Sequence, residues 1–132
     1  MLFRSVYFGV WARDAGSTAA FDSFGGIPFI VSPSCSSVTA SAAPATVVHG
    51  AGTHVTITGA AAGCTNSPQY EFWMRPAGSS TWQPIQSYGA SATYEWNSAG
   101  APAGAVYFAV WVRDASSTAT YDAFASTPVS VT

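Results

Sequence analysis

Lysine is absent from this chain of 132 residues, and charged side chains of every kind are scarce. They make up 8% of the residues, against roughly 25% in an average soluble protein. The positive side chains are four scattered arginines, Arg4, Arg13, Arg75 and Arg113, and the net charge is −2. Binding to duplex nucleic acid requires a basic face that neutralises phosphates. The composition therefore excludes nucleic acid as a partner.

Long apolar stretches are missing as well, because no run approaches the roughly 20 residues that a helix needs to cross a bilayer. A membrane is therefore not expected as a partner. Hydrophobic residues nevertheless make up 48% of the chain, which is too many for a disordered protein. The length allows one compact domain with a small extra piece.

Only two cysteines are present, Cys35 and Cys64. An even number in a lysine-free chain rich in serine, threonine, alanine and glycine favours an exported protein with one disulfide, and the alternative is two buried thiols. Residues 1–4 contain no export signal before the first strand pattern begins. We expect an extracellular or cell-surface protein whose signal has been removed, or a fragment of a longer protein.

An internal repeat organises the chain, since residues 5–32 and residues 105–132 align without a gap at an offset of 100 residues. Fifteen of the 28 aligned positions are identical. This similarity indicates a tandem array with a repeat of about 100 residues. The chain then contains the last two strands of one repeat, residues 1–32, followed by a complete repeat, residues 33–132.

The complete repeat shows short alternating segments separated by turn residues, a pattern typical of a β-sandwich. Its clearest strand is predicted over residues 105–113, where valines and Phe108 alternate with Tyr107, Trp111 and Arg113. Cys35 lies at the start of the first predicted strand and Cys64 just past the end of the second, so an antiparallel pair would bring them together. The other strands are predicted near residues 38–40, 53–58, 69–75, 82–87, 93–96 and 119–131.

Further residues carry a resemblance to a known family. They are Cys35, the turn region from Pro44 to Gly52, Gly63-Cys64, Tyr70, Phe72, Trp73, Trp82, Tyr88, Trp96, Ala103-Gly104 and the run Val112-Arg113-Asp114-Ala115. In them the chain resembles the immunoglobulin-like or fibronectin-like repeats of large bacterial cell-surface proteins. The resemblance implies an all-β fold, an immunoglobulin-like antiparallel β-sandwich of about seven strands, and specifies no chemistry. The chain departs from the family where a corner tyrosine is often found, because Val106 stands there and Tyr107 follows it.

Residues 1–32 are expected to form an additional N-terminal β-hairpin that lacks the other strands of its sandwich. An isolated hairpin is marginal in water, and its apolar side chains would stay wet. We therefore expect a homo-oligomer held by this hairpin. Two hairpins could pair in a symmetric dimer, or residues 5–32 could exchange with residues 105–132. The alternative is a loosely docked segment.

Candidate metal ligands are few. His49 and His54 flank a glycine-rich turn, and two imidazoles with a carboxylate could bind zinc and activate water at a subunit interface. The alternative is two histidines in a surface loop. Asp114 and Asp122 near one loop end could bind calcium. The alternative there is structural, a cross-strand ion pair between Arg113 and Asp122.

Three tryptophans, Trp11, Trp73 and Trp111, lie opposite the apolar faces of their predicted strands. An exposed aromatic row could stack on sugar rings, or it could be buried against a neighbouring repeat or subunit. No motif for hydrolysis or nucleotide binding is present, so no catalytic residue, cofactor or enzymatic activity is expected. The sequence favours a structural or adhesive repeat module. The alternatives are a glycan-binding module that uses these tryptophans, or a small metal-dependent hydrolase around His49 and His54.

Overall fold

The computed structural model of the protein describes residues 4–132, and it describes residues 4–6 and 27–31 by their backbone. Residues 1–3 of the predicted hairpin lie outside the described part. Over the described residues the chain is all-β, as predicted, and has no helix, so no helix there could span a membrane. The ten strands are β1 (Arg4–Ala12), β2 (Ser23–Val31), β3 (Ser37–Ala43), β4 (Thr46–Val47), β5 (His54–Ala62), β6 (Pro68–Arg75), β7 (Gln83–Gly89), β8 (Thr93–Asn97), β9 (Gly104–Asp114) and β10 (Ala123–Val131).

The chain divides into two compact units, the first ending at Ser32 and the second running from Pro33 to Thr132. In the first unit, β1 and β2 form an antiparallel two-stranded sheet. Trp11 pairs with Phe24 across this sheet, and Phe8 pairs with Ile27. The N-terminal unit is therefore a single hairpin.

The second unit contains eight strands in two sheets. One sheet has five strands in the order β4-β10-β9-β6-β7, and the other has three in the order β3-β5-β8. The neighbours are antiparallel except for β4, which pairs in parallel with β10. The short strand β4 was not predicted. A cis peptide between Ala43 and Pro44 lies where the chain passes from one sheet to the other.

The core lies between these two sheets. The predicted alternation along β9 holds, because Val106, Phe108, Val110 and Val112 are all buried. The three-stranded sheet contributes Val38, Val55 and Ile57 to the same hydrophobic cluster. The sheets approach closely at Gly59, where a Cβ atom would lie 2.6 Å from Cγ1 of Val110. This arrangement of two sheets around one core is consistent with a β-sandwich.

The predicted disulfide between Cys35 and Cys64 is present. It extends the pairing of β3 with β5, because Cys35 precedes β3 and Cys64 follows β5. Beside it, the N–H of Ser36 donates to the carbonyl of Ala62 (3.0 Å), and the N–H of Thr65 donates to the carbonyl of Ser34 (2.9 Å). The cross-link therefore closes the open end of a hydrogen-bonded ladder.

Removing this disulfide should destabilise the C-terminal unit. The cysteines are 29 residues apart, and the loss of a loop constraint of that length corresponds to about 3–4 kcal/mol in the chain-entropy model. We expect the Cys35→Ala, Cys64→Ala double variant to lose that amount of unfolding free energy in urea denaturation. Reduction of the unmodified protein should have a similar effect. A loss below about 1 kcal/mol in both cases would contradict this account.

Candidate functional site

The outer face of the five-stranded sheet is unusually aromatic. Side chains alternate between the two faces of a strand, so Trp111 lies opposite the buried valines of β9. The sheet register then sets its neighbours, since Trp111 pairs with Phe124 of β10 and Trp73 of β6 pairs with Ala109. One face of β9 thus completes the core, while the other supports a cluster of rings.

Five aromatic side chains line a cleft on this outer face of about 300 Å³, which we call the aromatic cleft: Trp73, Trp82, Trp111, Tyr121 and Phe124. Four of the rings form a continuous series of contacts. Trp73 and Trp111 have their centroids 4.7 Å apart, Trp111 and Tyr121 4.9 Å, and Tyr121 and Phe124 5.3 Å. Ala109 and Ser126 also line the cleft. The small side chain of Ala109 is buried among these larger neighbours.

Two arginines are stacked on aromatic rings of the same unit. The guanidinium of Arg75 lies 4.5 Å from the ring centre of Tyr107 and 5.4 Å from that of Trp82. The guanidinium of Arg113 lies 4.1 Å from the ring centre of Tyr88. These contacts hold the planar cations by cation–π attraction. Arg75 therefore connects Trp82, which lines the aromatic cleft, to Tyr107 of β9.

Arg113 differs from the sequence-based prediction, which paired it with Asp122. Its guanidinium donates instead to the carbonyl of Ala119 (3.3 Å) and stacks on Tyr88. The hydroxyl of Tyr88 donates to the carbonyl of Thr120 (2.6 Å). Burial, together with the negative charge of Glu71, raises the pKa of Tyr88 to about 12. The ion pair is not formed because Asp122 is occupied by other donors.

Asp122 joins three parts of the C-terminal unit. Its Oδ2 accepts hydrogen bonds from the N–H of Asp114 (2.8 Å) and of Cys35 (2.9 Å). Its Oδ1 accepts a hydrogen bond from the hydroxyl of Ser117 (2.9 Å). The carboxylate therefore connects the loop after β9 to the segment that carries the disulfide.

Asp114 is fully buried, yet it favours the ionised form. Burial opposes ionisation, but donors converge on both carboxylate oxygens. Oδ2 accepts from the N–H of Asn66 (2.5 Å), and Oδ1 accepts from the side-chain amide of Asn66 and the N–H of Ser116, both at 3.0 Å. These bonds outweigh desolvation and lower the pKa of Asp114 below its usual value. We call Asp114 and Asp122 with these donors the aspartate corner.

Asp114 and Asp122, the predicted calcium ligands, accept hydrogen bonds from protein donors in the structure. The two residues do lie together, as expected, but each of their carboxylate oxygens already accepts a hydrogen bond. A cation would have to displace those donors. Over residues 4–132, no group of three or more His, Cys, Asp or Glu side chains is placed to hold a metal ion. The hydrogen bonds of the aspartate corner thus stabilise the loop that follows β9.

His49 and His54, the predicted zinc ligands, are both exposed. His49 follows β4, where its N–H donates to the carbonyl of Thr132 (2.7 Å), and His54 opens β5. Neither belongs to a cluster of three metal-binding side chains in the described part of the chain. Within residues 4–132 of one chain no third ligand accompanies the two histidines, and the hydrolase hypothesis, which places the site between subunits, stays a prediction.

The N-terminal hairpin repeats the aromatic contacts and the internal hydrogen bonds of the aspartate corner. Trp11 and Phe21 have their ring centres 4.8 Å apart, and Phe21 and Phe24 5.3 Å. The N–H of Asp14 donates to Oδ2 of Asp22 (2.7 Å), as that of Asp114 does to Asp122. This bond, followed by one from the hydroxyl of Ser17, lowers the pKa of Asp22. The hairpin therefore has the same local structure as β9 and β10.

The three predicted binding tryptophans have different surroundings. Trp73 and Trp111 come together in the aromatic cleft, whereas Trp11 belongs to the N-terminal unit. Trp82, Tyr121 and Phe124, which also line the cleft, were not predicted as binding residues. Phe124 could have been found from the repeat, since it is identical to Phe24 and lies between the inward-facing Ala123 and Ala125. Trp82 stands at the start of the strand predicted over residues 82–87, but in the structure it immediately precedes β7, so its place in the cleft does not follow from strand alternation.

Comparison with protein-family models, curated proteins and solved structures gives no match. The function must therefore be inferred from the geometry of the residues themselves.

Acid should destabilise the C-terminal unit through Asp114. A carboxyl group with a lowered pKa stabilises the folded state above its usual value of 3.8, and this stabilisation is lost as the pH falls through the lower folded value. We expect the unfolding free energy, measured in urea, to fall with decreasing pH below 3.8. Asp114→Asn should show a shallower dependence over that range. Equal slopes for the two proteins would contradict the assignment.

Proposed function

We propose that this protein is a non-catalytic structural repeat module of an extracellular bacterial protein, with an immunoglobulin-like β-sandwich, and that it self-associates through its N-terminal hairpin. The disulfide is compatible with an extracellular location. The sheet order supports an immunoglobulin-like topology, because β3, β5 and β8 form one layer and β7, β6, β9 and β10 the other. The aspartate corner has a structural explanation, which favours a non-catalytic module.

The observation that carries the proposal is the exposure of one face of the N-terminal hairpin. Phe8 and Val10 are 61% and 68% exposed, whereas their copies Phe108 and Val110 are completely buried. We call the face of β1 that carries Phe8 and Val10 the inner face. Burying a side chain of this size stabilises a protein by about 1.5–3 kcal/mol. Covering the inner face with another protein surface would therefore be favourable, because it would bury Phe8 and Val10.

The aspartate corner gives a second indication. In the C-terminal unit, Cys35 and Asn66 donate to Asp122 and Asp114 from outside the β9–β10 hairpin. The hydrogen bonds described for Asp14 and Asp22 come from within their own hairpin. In the C-terminal unit, donors from outside the hairpin thus complete a corner that the described hydrogen bonds of the N-terminal copy form only from within, which supports the need for a second layer.

The number of sheets favours the pairing of two N-terminal hairpins over the exchange of residues 5–32 with residues 105–132. Residues 4–132 of each chain contain two equivalent hairpins but one three-stranded sheet that can cover one of them. Exchange between copies would therefore leave as many uncovered hairpins as before. Packing two N-terminal hairpins against each other, inner face to inner face around a twofold axis, covers both at once.

Packing in the core also disfavours strand exchange. Ala12 stands at the repeat position of the buried Val112, and Phe29 at that of the buried Val129. An alanine in the first site would leave a cavity, and a phenylalanine in the second would overfill the core. Overpacking of this kind costs about 1–3 kcal/mol. The second copy's N-terminal hairpin is therefore the partner that we propose.

The expected dimer is weak, because the face of a hairpin with nine-residue strands is smaller than the roughly 800 Å² that each partner buries in a standard interface. Sedimentation equilibrium should show a concentration-dependent mass that rises from 13.6 kDa toward twice that value over the micromolar range. Phe8→Glu should remain monomeric, since it places a charge in the interface. Trp11→Glu, on the opposite face of the same strand, is the matched control and should still dimerise.

A monomeric wild-type protein at about 100 μM, where a weak interface of this size should be populated, would contradict the proposal. So would loss of the dimer in Trp11→Glu but not in Phe8→Glu. Amide hydrogen exchange separates pairing from strand exchange. Pairing protects residues 4–31 on association and leaves residues 104–131 unchanged, whereas strand exchange would deprotect residues 104–131.

A further inference from the structure

We propose that the aromatic cleft binds a neutral saccharide. The cleft lies on the outer face of the five-stranded sheet, which the core does not use, and its rings remain accessible. Phe124, Tyr121 and Trp82 are 60%, 41% and 37% exposed. Keeping several large aromatic side chains together at a surface is unfavourable unless they contact a ligand or partner.

Contacts within the protein hold the rings of the aromatic cleft in place. Trp73 and Trp111 stand on neighbouring central strands, and each ring is held by another ring. The indole N–H of Trp73 donates to Oε1 of Glu71 (2.8 Å). Trp82 lies against Arg75, which itself stacks on Tyr107. A ligand would therefore bind with little cost for ordering side chains.

The cleft is lined by both apolar rings and polar groups, and a sugar ring has both apolar C–H faces and hydroxyl groups. Aromatic rings provide apolar surfaces for the C–H face of a pyranose, and Ser126 contributes a hydroxyl to the cleft. Tyr121 brings a phenolic hydroxyl that can donate or accept a hydrogen bond. A volume of about 300 Å³ is at the small end of ligand sites, which suits about one or two sugar rings.

The charges nearby favour a neutral ligand. Glu71 and Arg75 lie on β6, on either side of Trp73, and carry opposite charges. Each already has a partner, because Glu71 accepts from Trp73 and Arg75 stacks on Tyr107 and Trp82. The cleft thus has no excess charge for an acidic or basic ligand. An uncharged saccharide matches both its rings and its electrostatics.

This inference is independent of the proposed dimer. The aromatic cleft uses the outer face of the C-terminal unit, whereas the dimer uses the inner face of the N-terminal hairpin. Trp82 has no copy in residues 4–31, so a substitution there leaves the duplicated segment intact. A protein that dimerises but binds no saccharide would contradict only the present proposal. A protein that binds saccharide but stays monomeric would contradict only the proposed dimer.

The test is isothermal titration of the full chain with cellohexaose, xylohexaose, mannohexaose and maltohexaose, with decaproline as a peptide probe. We expect saturable binding of at least one saccharide. Trp82→Ala should weaken that binding at least tenfold, and Trp82→Phe should restore much of it because a ring is kept. Val48→Ala, which shortens another exposed apolar side chain outside the cleft, should leave the affinity unchanged.

Absence of saturable binding to all four saccharides at millimolar concentration would overturn the proposal. Binding that is equally strong in Trp82→Ala would overturn it too, as would binding of decaproline alone. Phe124→Ala provides a second cleft variant if Trp82→Ala fails to fold, which circular dichroism would show. It should weaken saccharide binding in the same direction.

Discussion

The alternation of side chains along β9 is the constraint on which the rest of the C-terminal unit depends. One face of the strand buries Phe108 and Val110, and the other carries Trp111 into the aromatic cleft. Because β9 is hydrogen-bonded to both β6 and β10, a shift of one residue would expose the core and bury the rings. A single register therefore sets both the stability of the unit and the chemistry of its surface.

Side chains also alternate along β1 of the N-terminal hairpin, but there the face equivalent to the core is exposed. Its register matches that of β9 and β10, and its aspartate corner supplies its own hydrogen bonds. The hairpin therefore reproduces its shape from local contacts alone. In the C-terminal unit the second sheet covers the positions equivalent to Phe8 and Val10. In residues 4–32 these side chains belong to a two-stranded sheet and are exposed on its inner face.

Much of the fold could be predicted from the sequence because strand alternation is a local property. The inward positions of β5, β6 and β9 follow from a period of two, and the disulfide follows from where two strands end. The two-residue strand β4 could not be found this way, since Thr46–Val47 is too short to show a period. Its parallel pairing with β10 depends on where the chain changes sheets.

The candidate site was predictable only in part. Trp73 and Trp111 could be recognised as outward-facing, but their contact depends on the pairing of β6 with β9, which no local pattern reveals. The sequence pairs Arg113 with Asp122 as a cross-strand ion pair. Its actual partner, Tyr88, comes from β7, an edge strand placed beside β6 by the sheet order. Contacts between strands that are distant in sequence therefore determine the site, and composition and residue spacing do not predict them.

The stacking of Trp73 on Trp111 has an optical consequence. Two indoles whose centres are 4.7 Å apart and whose planes are inclined by 31° have strongly coupled electronic transitions. Such a pair produces an exciton couplet in the far-ultraviolet spectrum of the folded chain. The strength of the couplet depends on the alignment of β6 with β9, so it serves as an intrinsic reporter of how these two strands are aligned in solution.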